Sequence, residues 1–294
     1  MKKSKIIVPA LGILVLSTAA SITGTVAWFT AANSVEVNGF RMKAEAEEGI
    51  VIANESHSDA THWNLVATAS HTGVVSTVQQ SFVPTSTAGV KAGDPENINW
   101  FHANSGQFDN AEAGQADNKY STHRIGATHT TDGTPYAITE SDGIGSTTVG
   151  SSAKNIYLKN TFYIQSSLSA ISGQDIFLEN LAVTGNSSSP DLDKALRLMV
   201  VCGNQVTIFG CLTGYTASYK AGGATSGTAV SAVSGKQDIA SNVEIPAYSV
   251  SASSIQIDTY LYFEGEDAEC KSSNITATLD TLEISFHFGN EAHA

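Results

Sequence analysis

Basic charge is scarce in this chain: 15 Lys and Arg stand against 28 Asp and Glu, a formal charge of −13 over 294 residues. Nucleic acid is thereby excluded as a broad partner, because neutralising phosphates needs a basic face. Cysteine is nearly absent as well. Three residues, Cys202, Cys211 and Cys270, are too few for a disulfide-dense scaffold or a thiolate-built zinc module. Cys202 lies in an apolar alternation and reads as a small buried hydrophobe, whereas Cys211 and Cys270 sit near turns, which leaves a bridge between them open. Proline is limited to 6 residues and charged residues to 15%, beside 41% hydrophobic ones. That is too much core-forming material for a disordered chain.

Signatures of catalysis are missing too. A common zinc protease needs His-Glu-x-x-His on a helix, and the chain has none. Six of its eight histidines (His57, His62, His71, His102, His123 and His129) precede residue 130 and read as exposed polar positions. His57 and His62 are five apart, which on a strand turns them to opposite faces. The glycine-containing stretches 143–146 and 223–227 fit neither a nucleophile elbow nor a dinucleotide loop, since no helix follows them. The expectation is a non-enzyme without a resident cofactor.

What is present begins with a leader. Lys2, Lys3 and Lys5 precede an apolar stretch from Ile6 to Leu16 and then small residues, the layout of a secretory signal peptide. Cleavage after Ala27, with Thr25 three residues back, leaves Trp28 and Phe29 at the mature head; Ala20 with Thr18 offers a second site. A retained anchor is the alternative, because no charge occurs between Lys5 and Glu36. The domain plan is therefore a leader over 1–27 and one domain over 28–294. Losing the three lysines moves the formal charge from −13 to −16.

Beyond the leader, apolar residues alternate. Ile156, Leu158, Phe162 and Ile164 share one parity, as do Leu196, Leu198, Val200 and Cys202. Ile255, Ile257, Leu261 and Phe263 repeat the pattern, and so do Leu282, Ile284, Phe286 and Phe288, with Glu283, Ser285 and His287 on the wet side. Period two means half-buried strands. Shorter candidates are 63–68, 74–83, 176–183, 206–209 and 243–250, and no helical stripe competes with them. Short strands punctuated by Gly, Asn and Ser predict an all-β antiparallel β-sandwich or barrel. Residues 84–155 form a long insertion rich in turn formers, either elaborated with short hairpins or a flexible surface segment, and Trp100, Phe101, Phe108, Tyr120 and Tyr136 are expected to nucleate a small satellite cluster that orders part of it. Residues 214–240 read as a loop or edge hairpin.

The stretch Gly24-Thr25-Val26-Ala27-Trp28-Phe29-Thr30, followed by alternation from Val35, resembles the leader and mature start of the TasA and camelysin group of exported Gram-positive proteins. NIYLKNTFYIQ and FEGEDAEC carry a fainter likeness to secreted proteins of Firmicutes and their wall-less relatives. The resemblance implies export through a dedicated signal peptidase, a jelly-roll-like β-sandwich and an extracellular, cell-surface location. It further implies a biofilm-matrix fibre subunit whose N-terminal strand completes a neighbour's sheet. The anchors of such a strand would be Trp28, Phe29, Val35, Val37 and Phe40, each worth ~1.5–3 kcal/mol when fully buried. Head-to-tail contacts of this kind do not close, so self-association yields filaments. The simpler alternative places the segment as the first strand of its own sheet. A monomeric adhesin binding through 84–155 is the second functional reading, and a secreted metalloprotease, a label the family also carries, is the third.

One charged cluster remains. Glu264, Glu266, Asp267 and Glu269 follow the strand ending at Phe263, with Gly265 allowing a tight turn. Clustered carboxylates hold Ca²⁺ through oxygen ligands, and the competing reading is a soluble charged turn at a strand end. Glu45, Glu47 and Glu48 pose the same choice on a smaller scale.

Overall fold

The structure is a computed structural model. It describes residues 35–37, 40–47, 49–53, 63, 70–76, 80–91, 94–102, 124–125, 138–141, 143–149, 152–166, 173–184, 191–203, 205–211, 218–219, 228–229, 231–232, 236–238, 254–265, 267, 270, 278–279 and 282–291. Most of them are β-strand. In chain order these are β1 (Val35–Val37), β2 (Phe40–Ala46), β3 (Ile50–Ala53), β4 (Ser70–Ser76), β5 (Gln80–Phe82), β6 (Thr85–Lys91) and β7 (Asp94–His102). Then come β8 (Arg124–Ile125), β9 (Ile138–Ser141), β10 (Ile144–Val149), β11 (Ser152–Ser166), β12 (Asp175–Thr184), β13 (Leu196–Cys202) and β14 (Gln205–Gly210). The last are β15 (Ser218–Tyr219), β16 (Thr228–Ala229), β17 (Ser231–Ala232), β18 (Lys236–Asp238), β19 (Ile255–Phe263), β20 (Thr278–Leu279) and β21 (Leu282–Glu291). A single 3₁₀ turn, Leu192–Ala195, precedes β13 among the described residues.

The strands form two principal sheets. The larger runs β17-β14-β13-β19-β11-β5-β1-β20, with β3, β10 and β9 joined through β11; the smaller runs β18-β12-β21-β2-β4. Most ladders are antiparallel, yet β2 pairs with β21, β1 with β20, β5 with β11 and β14 with β17 in parallel. Period two specifies a half-buried strand but carries no direction, so parallel pairing of segments far apart in sequence has no local signature.

Residues from both sheets fill one core. The larger sheet supplies Leu158, Phe162, Ile164, Leu198, Val200, Ile257, Leu261 and Phe263, and the smaller one Met42, Ala44, Ile176, Leu178, Ile284, Phe286 and Phe288. Phe162 sits edge-on to Phe286 and Phe288 at ring distances of 5.9 and 5.6 Å. Such aromatic pairs add about 0.5–1.5 kcal/mol each beyond the area they bury.

A second core covers the opposite face of the larger sheet. Tyr157, Met199, Val201, Tyr260 and Tyr262 meet Trp100 of β7, with Ile98 packed against them. Trp100 stacks on Tyr157 at 4.9 Å and meets Tyr262 edge-on at 5.1 Å. The described residues of 84–155 are thus mostly strand: β6, β7 and β8 form their own three-stranded sheet, and Trp100 packs on the main one. Phe108, Tyr120 and Tyr136 lie outside the described residues.

Two bulges reconcile the alternation with this double burial. Gly145 pairs with Tyr157 while Ser146 pairs with Asn155, so Ile156 is an extra residue. Ile156 therefore joins Tyr157 in the second core and departs from the parity of Leu158, Phe162 and Ile164. On β12 the register shifts between Glu179 and Ala182, where Asn180 has φ 55°. Leu178 faces the core before this bulge, and Leu181 and Val183 pack against it afterwards. The expected strand at 74–83 is divided instead: β4 belongs to the smaller sheet and β5 to the larger. Of the 63–68 candidate only Trp63 is described, buried beside Val51 and Ala53, and 243–250 lies outside the described residues.

All three cysteines are free and buried in the first core, so no Cys211–Cys270 bridge forms. Burial pushes the Cys202 thiol up to about 11 and the Cys211 thiol up to about 12. Native protein at pH 8 is therefore expected to leave these two thiols unmodified by a thiol-specific chromogenic reagent, with reaction following denaturation; rapid native labelling at either would contradict the burial.

Candidate functional site

The acidic turn after β19 is built around a residue that the sequence pattern did not single out. Arg197, second in β13, is fully buried, as are Glu264 and Asp267. Alternation points Arg197 away from Leu196 and Leu198, toward the Met199 and Val201 side. Its Nη2 donates to the Asp267 carboxylate, and its Nη1 donates to the carbonyl oxygens of Lys194 (2.7 Å) and Leu196 (3.1 Å). Burial alone would push its proton off, but Asp267 and then Glu264 outweigh it and hold the guanidinium above its ordinary value.

Three elements meet here through the backbone. Glu264 N–H donates to Ala195 O at the end of the 3₁₀ turn, and Gly265 N–H donates to Thr85 O at the start of β6, both at 2.8 Å. Asp267 N–H closes the turn on Glu264 O at 3.2 Å, and Cys270 N–H returns to Asp267 O at 3.0 Å. The turn thus fastens the β6–β7 layer to β13 and β19. Of the four carboxylates weighed as Ca²⁺ ligands or as a soluble charged turn, Glu264 and Asp267 point inward and face a guanidinium; Glu266 and Glu269 lie outside the described residues. Among the described residues, no group of three or more His, Cys, Asp or Glu is arranged to hold a metal ion.

The N-terminal candidates divide between both sheets. Val35 and Val37 belong to β1, which lies between β5 and β20: Val35 pairs with Phe82 and Val37 with both Gln80 and Leu279. Phe82 and Leu279 are core residues, so β1 occupies a slot that borders the main core on both sides. Phe40 opens β2, paired with Leu282 of β21 and Ser76 of β4. Ala27, Trp28 and Phe29 lie outside the described residues.

On the wet face of the smaller sheet, Glu45 meets His287 at 2.8 Å and pairs with Lys43. Glu47 accepts from the Asn290 backbone N–H at 3.2 Å, and Glu48 is outside the described residues. The hydrogen bond from Lys43 is the largest influence on Glu45, and with help from His287 it holds the carboxyl below its ordinary 4.5 despite the opposing effect of burial.

Sequence reading missed Arg197 because a lone arginine in an apolar alternation resembles an edge residue. The available signal was that Leu196–Cys202 is otherwise apolar on both parities, which marks a strand covered on both faces. Comparison with family models, curated proteins and solved structures returned no match to this chain.

Replacing Arg197 by Met is expected to cost about 3–5 kcal/mol in urea unfolding, because Asp267 and Glu264 are left buried without their countercharge, while adding Asp267→Leu recovers only part of that loss, since Glu264 and the carbonyls of Lys194 and Leu196 still lack the guanidinium. A single variant as stable as the native chain would contradict the hub. Acid titration offers a second check. A lowered folded pKa means that Glu45 stabilises the fold above its ordinary 4.5 and that this contribution is lost as pH falls through the folded value. Glu45→Gln should therefore differ from the native chain near neutrality and converge with it in acid.

Proposed function

We propose that this protein is an extracellular structural subunit, a jelly-roll-like β-sandwich of the TasA and camelysin type. In this reading the N-terminal strand of one copy completes the sheet of the next to build a surface or matrix filament. The observation that carries the reading is the placement of β1. It is a three-residue strand with a neighbour on each side, at the N-terminal end of the described residues, and those neighbours hold core residues. A strand so placed makes main-chain hydrogen bonds on two edges, and the same bonds form equally well whether the strand comes from its own chain or from another copy. The mature charge of −16 and the scarcity of charged residues fit a secreted surface, with export by a signal peptidase.

A second reading, a monomeric adhesin, draws on the layer formed by β6, β7 and β8. That layer is held on the face of the larger sheet by Trp100, and segments carried on such a rigid scaffold are where binding usually sits.

Electron microscopy of the mature chain tests the first reading against the second. Filaments are expected from residues 28–294 and not from a chain starting at residue 38, which lacks β1 but keeps β2. A peptide of residues 28–40 added to the shortened chain is expected to raise its melting temperature by refilling the slot. Filaments that persist without β1, or a shortened chain as stable as the full one and indifferent to the peptide, would remove the strand-addition reading.

A further inference from the structure

A second polar cluster lies on the outer face of the larger sheet, away from the acidic turn and β1. Lys159 of β11 and Asp258 of β19 occupy adjacent strands, two residues off direct opposition and so on the same face: Lys159 pairs with Tyr260, and Asp258 with Thr161. Lys159 Nζ lies 3.7 Å from Asp258 Oδ2 and 3.8 Å from Glu140 Oε1. The amine is therefore flanked by one carboxylate on its own ladder and another from β9. Lys159 and Asp258 retain only 22% and 18% of their side-chain exposure.

Each neighbour is itself held. Asp258 Oδ1 accepts from the Thr161 hydroxyl at 2.6 Å and from Gln256 Nε2 at 3.3 Å. Glu140 Oε2 accepts from the Tyr157 hydroxyl at 3.1 Å, which leaves Oε1 toward the amine. Tyr157 reaches Glu140 only because Gly145 lies between them in the ladder: a Cβ there would fall 2.2 Å from the tyrosine ring. The Tyr260 ring lies beneath Nζ, 5.6 Å from its centroid, and packs edge-on against Tyr157 at 5.1 Å.

The geometry points to a covalent modification site: an intramolecular amide between Lys159 Nζ and Asp258 Cγ, with Glu140 as the proton carrier. Nζ gives a proton to Glu140 and attacks Cγ. The Nζ–Cγ bond forms, and the negative charge developing on Oδ1 is met by the Thr161 hydroxyl and the Gln256 amide, donors already in place. The Cγ–Oδ2 bond then breaks. Of the three ammonium protons, one stays on the amide nitrogen and two leave with Oδ2 as water, each relayed by Glu140, which ends as it began. Nothing is oxidised or reduced and no co-reactant is consumed. Holding amine and carboxyl side by side supplies the effective concentration that a condensation in water otherwise lacks. The product ties β11 to β19, two adjacent strands of the larger sheet.

Tryptic peptide mapping of the full chain by tandem mass spectrometry decides the matter. A bridged chain yields residues 155–194, uncleaved at Lys159, joined to residues 237–271, with a combined mass lower by one water. Unmodified 237–271 together with separate 155–159 and 160–194 peptides overturns the proposal. Lys159→Arg, which keeps the charge, is expected to abolish the joined species, and Glu140→Gln to abolish or strongly slow it in protein that retains its β circular dichroism. A Glu140→Gln chain bridged as fully as the native one would overturn the role of Glu140.

Discussion

Burial of the central strands on both faces is the constraint on which the rest of this structure depends. Along β19, Ile257, Leu261 and Phe263 face the core shared by the two sheets, while Tyr260 and Tyr262 face the core beneath Trp100. β13 is buried over its whole length. A strand with two apolar faces needs a cover on each, and the two covers are the smaller sheet and the β6–β7 layer. Register is then fixed severely, because a slip of one residue exchanges the contents of the two cores. The bulges at Ile156 and near Asn180 are the points where the chain absorbs an extra residue and keeps both faces filled.

With charge so scarce, the buried charges carry structural weight. Arg197 occupies the join between β13 and the β6–β7 layer, where a hydrophobic side chain could not satisfy the carbonyls of Lys194 and Leu196 together with the inward Asp267. Its protonation is maintained by carboxylates that are themselves buried, so neither sign is stable there without the other. The exposed charges on the wet face of the smaller sheet are of a different kind, since water screens Lys43, Glu45 and His287 and each pair adds little. The cluster around Lys159 is intermediate: aromatic rings shield its floor, and its polar groups are positioned by hydrogen bonds of their own.

The proposals of strand addition and of an internal amide concern different parts of the same sheet. β1 joins through backbone pairs at one side, between β5 and β20, while the Lys159–Asp258 pair spans β11 and β19. Neither depends on the other. A sheet that passes load from one copy to the next would experience shear between its strands, and a covalent tie between β11 and β19 would resist it.

The sequence by itself determined the all-β class and the positions of its principal strands. Alternation at Leu196–Cys202, Ile255–Phe263 and Leu282–Phe288 is a local property of the chain and survives folding unchanged. It also marked Cys202 as core and His287 as outward. Only the tertiary structure decided which strands are neighbours, that β2 runs parallel to β21, that 74–83 is divided between two sheets and that Ile156 changes face. Those outcomes depend on contacts between residues far apart in sequence, and no local periodicity encodes them. The acidic turn shows the difference most plainly. Four carboxylates in a row look alike in sequence, but Asp267 turns inward because Arg197, 70 residues earlier, is buried against it, and a charge is drawn into a core only by a partner that the fold alone brings there.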